Sequence, residues 1–245
     1  MDHSIIYLDE VVSTNDYARD ILRKGKPAEG TVVAAGFQSA GRGQDGNTWE
    51  SEAGQNILMT MILYPGFLDV SKQFIMSMTI ALGIVDFLED YLPDDILFIK
   101  WPNDIYASDG KIGGILINNE IMGRSFDHVI AGIGINVNQI TFADHLPNPV
   151  SLRSMTGKTY PVRELIAALT RCLHDRYEQL RRGEYRQIEA EYYGYLLGMD
   201  EWREYAYGGS VIMARITGVD EFGKLMLETE GGMISCDMKE IVYRF

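Results

Sequence analysis

Cysteine is nearly absent from this chain: two residues, Cys172 and Cys236, in 245. Far apart in sequence, they build neither a disulfide framework nor the paired spacing of a zinc site. Histidine is almost as scarce. His3, His128, His145 and His174 show no metal-ligand spacing. No apolar run approaches the about 20 residues that span a bilayer. The N-terminus, Met-Asp-His-Ser, lacks the basic-then-apolar layout of a signal peptide. The expectation is a cytoplasmic protein with no membrane partner. Basic charge is short as well: 22 Lys and Arg stand against 35 Asp and Glu, a net charge of −13. With no basic stripe, duplex nucleic acid is not expected as the main partner. A small anion stays possible, because a few local cations can dominate one pocket.

The length allows one large domain, or one of moderate size with a small companion. Strands are expected at 5–8, 31–37, 57–63, 97–100, 104–107, 112–118 and 129–136, from β-branched and apolar runs. Ser13-Thr14-Asn15-Asp16 reads as a capping-box-like start to a helix over about 15–24, ending at Gly25. Phe74, Met78, Ala81, Leu82, Val85 and Leu88 repeat at helical spacing within 71–91. Pro161 suits the first turn of a further helix, and another covers 185–196. Asp109-Gly110 is a hairpin signal that leaves Lys111 just beyond a tight turn. After about Leu197 the helical period disappears. Short strands between glycine-rich turns over 202–245 predict a small all-β barrel.

Two generic motifs fail on context. Gly41-Arg42-Gly43-Gln44-Asp45-Gly46 matches a dinucleotide fingerprint, but a polar, non-periodic stretch follows where a helix should start. Gly218 to Lys224 resembles a phosphate-binding loop, but Leu225 replaces the required hydroxyl residue and no helix follows. The glycine loop over 38–54 still demands a role. Its backbone can approach an anion closely, and Arg42 adds a planar fork suited to phosphate or carboxylate. Taken singly, the loop could be ordinary surface, Trp49 could be core, and Lys100 and Lys111 could be solvated lysines. Their positions argue otherwise. Lys100 ends a buried strand and opens Lys100-Trp101-Pro102-Asn103-Asp104, while Lys111 precedes Gly113-Gly114. Two lysines, an arginine and a carboxylate among exposed glycines suit an enzyme that joins a carboxylate to a nucleotide phosphate.

Taken together, Gly41-Arg42-Gly43 running to Trp49 and Ser51, the Lys100–Asp104 segment, Lys111 with Gly114-Ile115-Leu116, and Gly132-Ile133-Gly134-Ile135-Asn136 resemble the biotin–protein ligase family, in order and spacing. The resemblance covers nearly the whole chain. It implies an α+β fold: a mixed β-sheet flanked by helices, class II synthetase-like, as catalytic domain over 1–197, with an SH3-like barrel over 198–245. It implies biotin, ATP and Mg2+ as ligands, and a biotin carboxyl carrier protein domain as partner. Homodimers are common among members. Members that also repress transcription carry an N-terminal helix-turn-helix domain. Here the ligase-like segment starts within the first dozen residues, so a monofunctional ligase without DNA as partner is expected.

Residue by residue, the resemblance places biotin against Ser13, Thr14, Asn15, Gln38, Gly41, Arg42, Gly43, Gln44, Trp49, Lys111, Gly114, Leu116, Gly132 and Gly134. It places the adenylate near Arg42, Gln44, Asn47, Trp49, Asn103, Lys111 and Asn136. Lys111 would bridge the biotin carboxylate and the α-phosphate, Arg42 would hold phosphate or carboxylate, and Lys100 would support the phosphate end. Asp104 would orient magnesium or the incoming lysine amine. Gln44 and Asn47 stand where many members have arginine, and Asn118 replaces a common glutamate. These departures bear on retention of the intermediate rather than on the class of reaction. The competing readings are a lipoate–protein ligase, a non-catalytic biotin sensor and a nucleotide-binding regulator.

Overall fold

A computed structural model describes residues 4–244, except for the side chain of Asp45. The first three residues and the last, which fall within the ranges expected for the two domains, lie outside it. Seven strands form one mixed sheet: β1 (Ile5–Val11), β2 (Val32–Gln38), β3 (Ile57–Leu63), β4 (Leu97–Lys100), β5 (Asp104–Ala107), β6 (Gly110–Met122) and β7 (Ser125–Ile135). Their spatial order is β1-β2-β3-β7-β6-β5-β4. Only β1 and β2 run parallel; every other pair is antiparallel. The strands fall where the apolar runs predict, but β1, β6 and β7 run longer. The β5–β6 hairpin turns on Ser108 and Asp109, with Ala107 opposite Gly110, one residue earlier than the Asp-Gly signal suggests. Ser108 takes the left-handed conformation, with φ 53°.

Helices cover both faces of the sheet. On one face lies α1 (Thr14–Lys24), whose Ala18 packs on Val33, Ile62 and Ile130. On the other lies α2 (Gln73–Glu89), backed by α4 (Val162–Arg181) and α5 (Tyr185–Tyr195); a short α3 (Leu152–Thr156) precedes them. The central strand β3 is therefore buried at every position. The sequence period suggests one apolar face for α2. The structure buries it nearly all round, including Ile75, Met76, Ile80 and Ile84, because sheet, α4 and α5 surround it. With its lead-in from Val70, this segment is long and apolar enough by composition to cross a bilayer, contrary to the sequence-based expectation. It is instead the core helix, with 67% of the window buried.

Five antiparallel strands follow: β8 (Trp202–Tyr207), β9 (Ser210–Val219), β10 (Leu225–Thr229), β11 (Gly232–Cys236) and β12 (Ile241–Tyr243), in the order β11-β10-β9-β8-β12. The glycine-rich turns lie where expected. Yet this small sheet is not packed as an independent bead. Tyr205, Ile216, Leu225 and Tyr243 belong to the same apolar core as α2. The Trp101 indole N–H donates to the Gly223 carbonyl at 3.0 Å, tying the Lys100–Asp104 turn to the β9–β10 loop.

The α2–α4 crossing is close because Gly83 has no side chain. A Cβ there would lie 3.1 Å from the Cα of Leu173. Valine at this position would have to push α4 away, so we expect Gly83→Val to lower unfolding free energy by about 1–3 kcal/mol. Urea denaturation of the two proteins measures the difference.

Candidate active site

The glycines of β6 and β7 create the site. Gly114 pairs with Gly134, and Leu116 with Gly132. Thr60 of β3 pairs with Gly132. This bare patch lies on the face that carries α1. Trp49, from the loop after β2, fills it. A Cβ built on Gly134 would sit 2.4 Å from the indole, and one on Gly114 would sit 3.2 Å away. Likewise, Asn15 occupies the space above Gly132, at 2.3 Å from a notional Cβ. The two β7 glycines are thus required for close approach.

Two cavities flank Trp49. The first, of about 240 Å³, is lined by Ser13, Thr14, Asn15, Gln38, Arg42, Gly43, Gln44, Asn47, Trp49, Asn103, Asp104, Lys111, Gly114, Leu116, Gly132 and Gly134. The second, of about 130 Å³, shares Thr48, Trp49, Asp104 and Lys111 with it, and adds Lys100, Tyr106, Asn136, Phe142, Leu146 and Pro147. Lys111 Nζ lies 2.6 Å from Asp104 Oδ1 and 5.7 Å from the Trp49 ring centre. This ion pair sits at the junction of the two cavities, where a carboxylate in one and a phosphate in the other would meet.

The floor of the first cavity is a polar cluster. Gln38 Oε1 accepts from Thr14 N at 2.7 Å, and Thr60 Oγ1 lies 2.6 Å from Asn15 Oδ1. Ser13 holds the N-cap position of α1, yet its side chain makes no capping bond, so the expected capping box is not formed. Gln38 meets Thr14 N instead, and the buried Ser13 lines the cavity. The glycine loop is compact. Gly43 N donates to Asn47 O at 2.7 Å and Trp49 N to Gly41 O at 3.0 Å. A short 3₁₀ turn spans Gln44–Gly46.

The structure gives several predicted site residues particular places and protein partners. Gly41 does not line the cavity; it lets the Trp49 backbone pass, a Cβ there meeting Trp49 O at 2.4 Å. Arg42 is turned to Asp16, with Nε at 3.0 Å and Nη2 at 2.8 Å from Oδ2. Asn103 spends its amide on the Ile115 carbonyl at 2.8 Å and borders the first cavity rather than the second. Asn136 borders the second and donates to Val150 O at 3.0 Å. Lys100 points away from the first cavity, near the rings of Tyr106 and Tyr243. Burial pulls its ammonium below the ordinary lysine range, partly offset by Asp104. Burial pushes the Tyr106 phenol up to about 12.

Other contributors carried no local signal. Thr60 hides in an apolar strand. Asp16 has the look of a helix-start carboxylate. Met238 and Lys239 reach the first cavity from the turn before β12, and Lys239 holds a left-handed φ of 74°. The stretch over 142–149 covers the second cavity because Lys111 N donates to Asn148 O and Val150 N donates to Lys111 O.

Alanine at Gly134 cannot coexist with the Trp49 ring in place. Gly134→Ala is expected to shift tryptophan emission and weaken ligand binding while the far-ultraviolet circular dichroism stays unchanged. A second expectation concerns Lys100, whose charged form burial disfavours in the folded state. Stability is lost as pH falls from the unfolded lysine range and that ammonium becomes charged. Lys100→Met therefore removes a penalty present at neutral pH. Its thermal midpoint should rise near pH 7, with a smaller gain at pH 11.

Residues 7–136 match the Biotin/lipoate A/B protein ligase family. The chain is 31% identical over 238 residues to the bifunctional ligase/repressor BirA of Bacillus spizizenii, covering 95% of this chain and 72% of that protein. It is 28% identical over 243 residues to the biotin–[acetyl-CoA-carboxylase] ligase of Mycobacterium tuberculosis, covering 96% and 88%. The fold superposes on the biotin protein ligase of Aquifex aeolicus solved with biotin and ATP. The TM-score is 0.79 at 25% identity, and 98% of each chain is covered. With the family match spanning more than half the chain, and a bare glycine cradle beside a lysine–carboxylate pair, this protein belongs to the biotin/lipoate A/B protein ligase family.

Proposed function

We propose that the protein is a biotin–protein ligase. It activates biotin with ATP as biotinyl-5′-AMP and transfers the biotinyl group to a lysine of a biotin carboxyl carrier domain. The observation that carries this reading is the meeting of two cavities at Lys111, Asp104 and Trp49. The first cavity takes the acid and the second takes the nucleoside. In the first step a biotin carboxylate oxygen bonds to the α-phosphorus and pyrophosphate leaves. In the second, the acceptor amine bonds to the acyl carbon, AMP leaves, and the amine proton passes to a base.

Carboxylate and triphosphate repel, so a cation must lie between them. Lys111 has that position. Its partner Asp104 holds the ammonium at the junction, and serves as base for the acceptor amine once Lys111 engages the acyl phosphate. Arg42, steadied by Asp16, closes the outer end of the first cavity with the glycine loop. Trp49 separates acid from nucleoside and shields the mixed anhydride from water. Ser13, Thr14 and Gln38 offer polar partners to a ureido ring, which favours biotin over lipoate, whose dithiolane cannot use them. Asn136 and Lys100 belong to the nucleotide side.

Among the described residues no group of three His, Cys, Asp or Glu side chains could cage a metal ion. Magnesium typically keeps one or two carboxylates plus substrate phosphates; of the two carboxylates that line the second cavity, Asp104 and Glu50, Asp104 stands beside Lys111 at the junction. Asp104 would hold the ion, which when bound would supply charge screening for the triphosphate. Residues 1–197 act as the catalytic domain, and 198–245 as an SH3-like domain that closes one side of the acid cavity through Met238 and Lys239.

A purified biotin carboxyl carrier domain incubated with the protein, biotin and Mg-ATP should gain one biotin on one lysine by mass spectrometry, and none without ATP. Lys111→Ala should slow adenylate formation by about 10²–10³-fold. Biotin binding without transfer would point instead to a sensor.

A further inference from the structure

Lys100 sits where the two sheets meet. It ends β4, an edge strand of the large sheet, and its Nζ lies over two aromatic faces. Tyr106, on β5 of the same sheet, has its ring centre 5.3 Å from Nζ and its hydroxyl oxygen 3.5 Å from it. Tyr243, on β12 of the small sheet, has its ring centre 5.4 Å away. Both separations lie within the reach of a cation–π contact. Tyr106 and Lys100 border the second cavity, whereas Tyr243 borders neither of the two cavities beside Trp49. It stands buried behind the lysine, with its ring set edge-on against Tyr205 at 5.3 Å. Tyr205 is also its pairing partner across β8 and β12. The bond from Trp101 to Gly223 ties the residue after Lys100 to the same small sheet.

A buried ammonium is costly unless something answers its charge. Burial is the main influence on Lys100; Asp104 favours its charged form and Lys111 opposes it. The two lysines thus act on each other as like charges on the wall of one cavity. Such a wall suits a polyanion, because phosphate oxygens between the two ammoniums replace repulsion with attraction. The aromatic partners fit the same purpose. The face of a ring is negative without carrying a net charge, so it steadies an ammonium and leaves that ammonium's charge available to a ligand. A carboxylate in the place of Tyr243 would hold Lys100 as firmly, but it would also repel a triphosphate.

We propose that Tyr243 is a positioning residue for nucleotide binding. Through the face of its ring, the small sheet holds the Lys100 ammonium at the second cavity, where it meets the polyphosphate of ATP. This rests on the reading of that cavity as the nucleotide side. The small sheet thereby acts on both cavities by separate routes: Met238 and Lys239 border the first, and Tyr243 serves the second through Lys100.

The test uses the full chain with Tyr243 replaced by phenylalanine and by its mono-, di- and trifluoro forms, which keep the shape of the ring while draining negative charge from its face. The ligand is the magnesium complex of α,β-methylene-ATP, which cannot transfer its adenylyl group, and its binding is measured by calorimetry with biotin present. Tyr243→Phe should bind it within about twofold of wild type, since the ring face remains. Affinity should then fall stepwise with each fluorine, by about fivefold to the trifluoro form, the scale of a partly desolvated cation–π contact. Adenosine, which has no phosphate, should bind all forms alike, and in a Lys100→Met background the steps should vanish. A flat series overturns the proposal. So does a trend that persists without Lys100 or extends to adenosine, because the ring would then be merely structural. A stepwise series in a protein that forms no biotinyl adenylate leaves this inference standing and removes the biotin reading. A wild type that binds no analogue removes the inference and the nucleotide reading together.

Discussion

Trp49 rests on bare backbone. Its indole occupies the space that side chains on Gly114 and Gly134 would fill, and this contact organises the rest of the site. It anchors a polar, glycine-rich loop to the rigid β6–β7 hairpin, it divides one groove into two cavities, and it lies beside Lys111. A ring in van der Waals contact with a strand gains dispersion along its whole face. The loop needs no helix to hold it. The same glycine–arginine–glycine run that imitates a dinucleotide fingerprint lets the chain fold back closely on Trp49, a Cβ on Gly41 meeting Trp49 O at 2.4 Å.

Charge pairing is the second organising feature. In a chain with net charge −13, two cavity cations and one neighbour are each met by a carboxylate: Lys111 by Asp104, Arg42 by Asp16, and Arg19, beside the site, again by Asp16. Such pairs hold the cations in place before any substrate arrives. Preorganised donors cost little reorganisation during reaction, and electrostatic stabilisation in enzymes depends on that. Asp16 serves two arginines at once. It couples the glycine loop to the helix that carries the cavity floor.

The two sheets share one core and one cavity. Trp101, adjacent to Lys100, reaches the β9–β10 loop, and Met238 with Lys239 reaches back to the first cavity. The small sheet is thus part of the site's wall as well as part of the hydrophobic core. Its turn residues are exposed in sequence terms and unremarkable in composition, and only their position gives them a role.

By itself, the sequence determined the strands and most helices. Their apolar runs have clear periods, and bounding glycines and prolines act locally. It also marked the candidate site segments, since Lys100 to Asp104, Lys111 with Gly113-Gly114, and Gly132 with Gly134 each lie close together in the chain. The tertiary structure decided what depends on distant neighbours. Arg19 meets Asn118 across 99 residues, and Asn15 meets Thr60 across 45. No local pattern encodes such pairs. Burial of α2 on all sides likewise follows from what packs around it rather than from its own period. Asn103 and Asn136 border the two cavities, and the fold spends their side-chain N–H groups on backbone carbonyls. A side chain's hydrogen-bonding capacity is fixed by its type. Its partner is fixed only when the chain closes on itself.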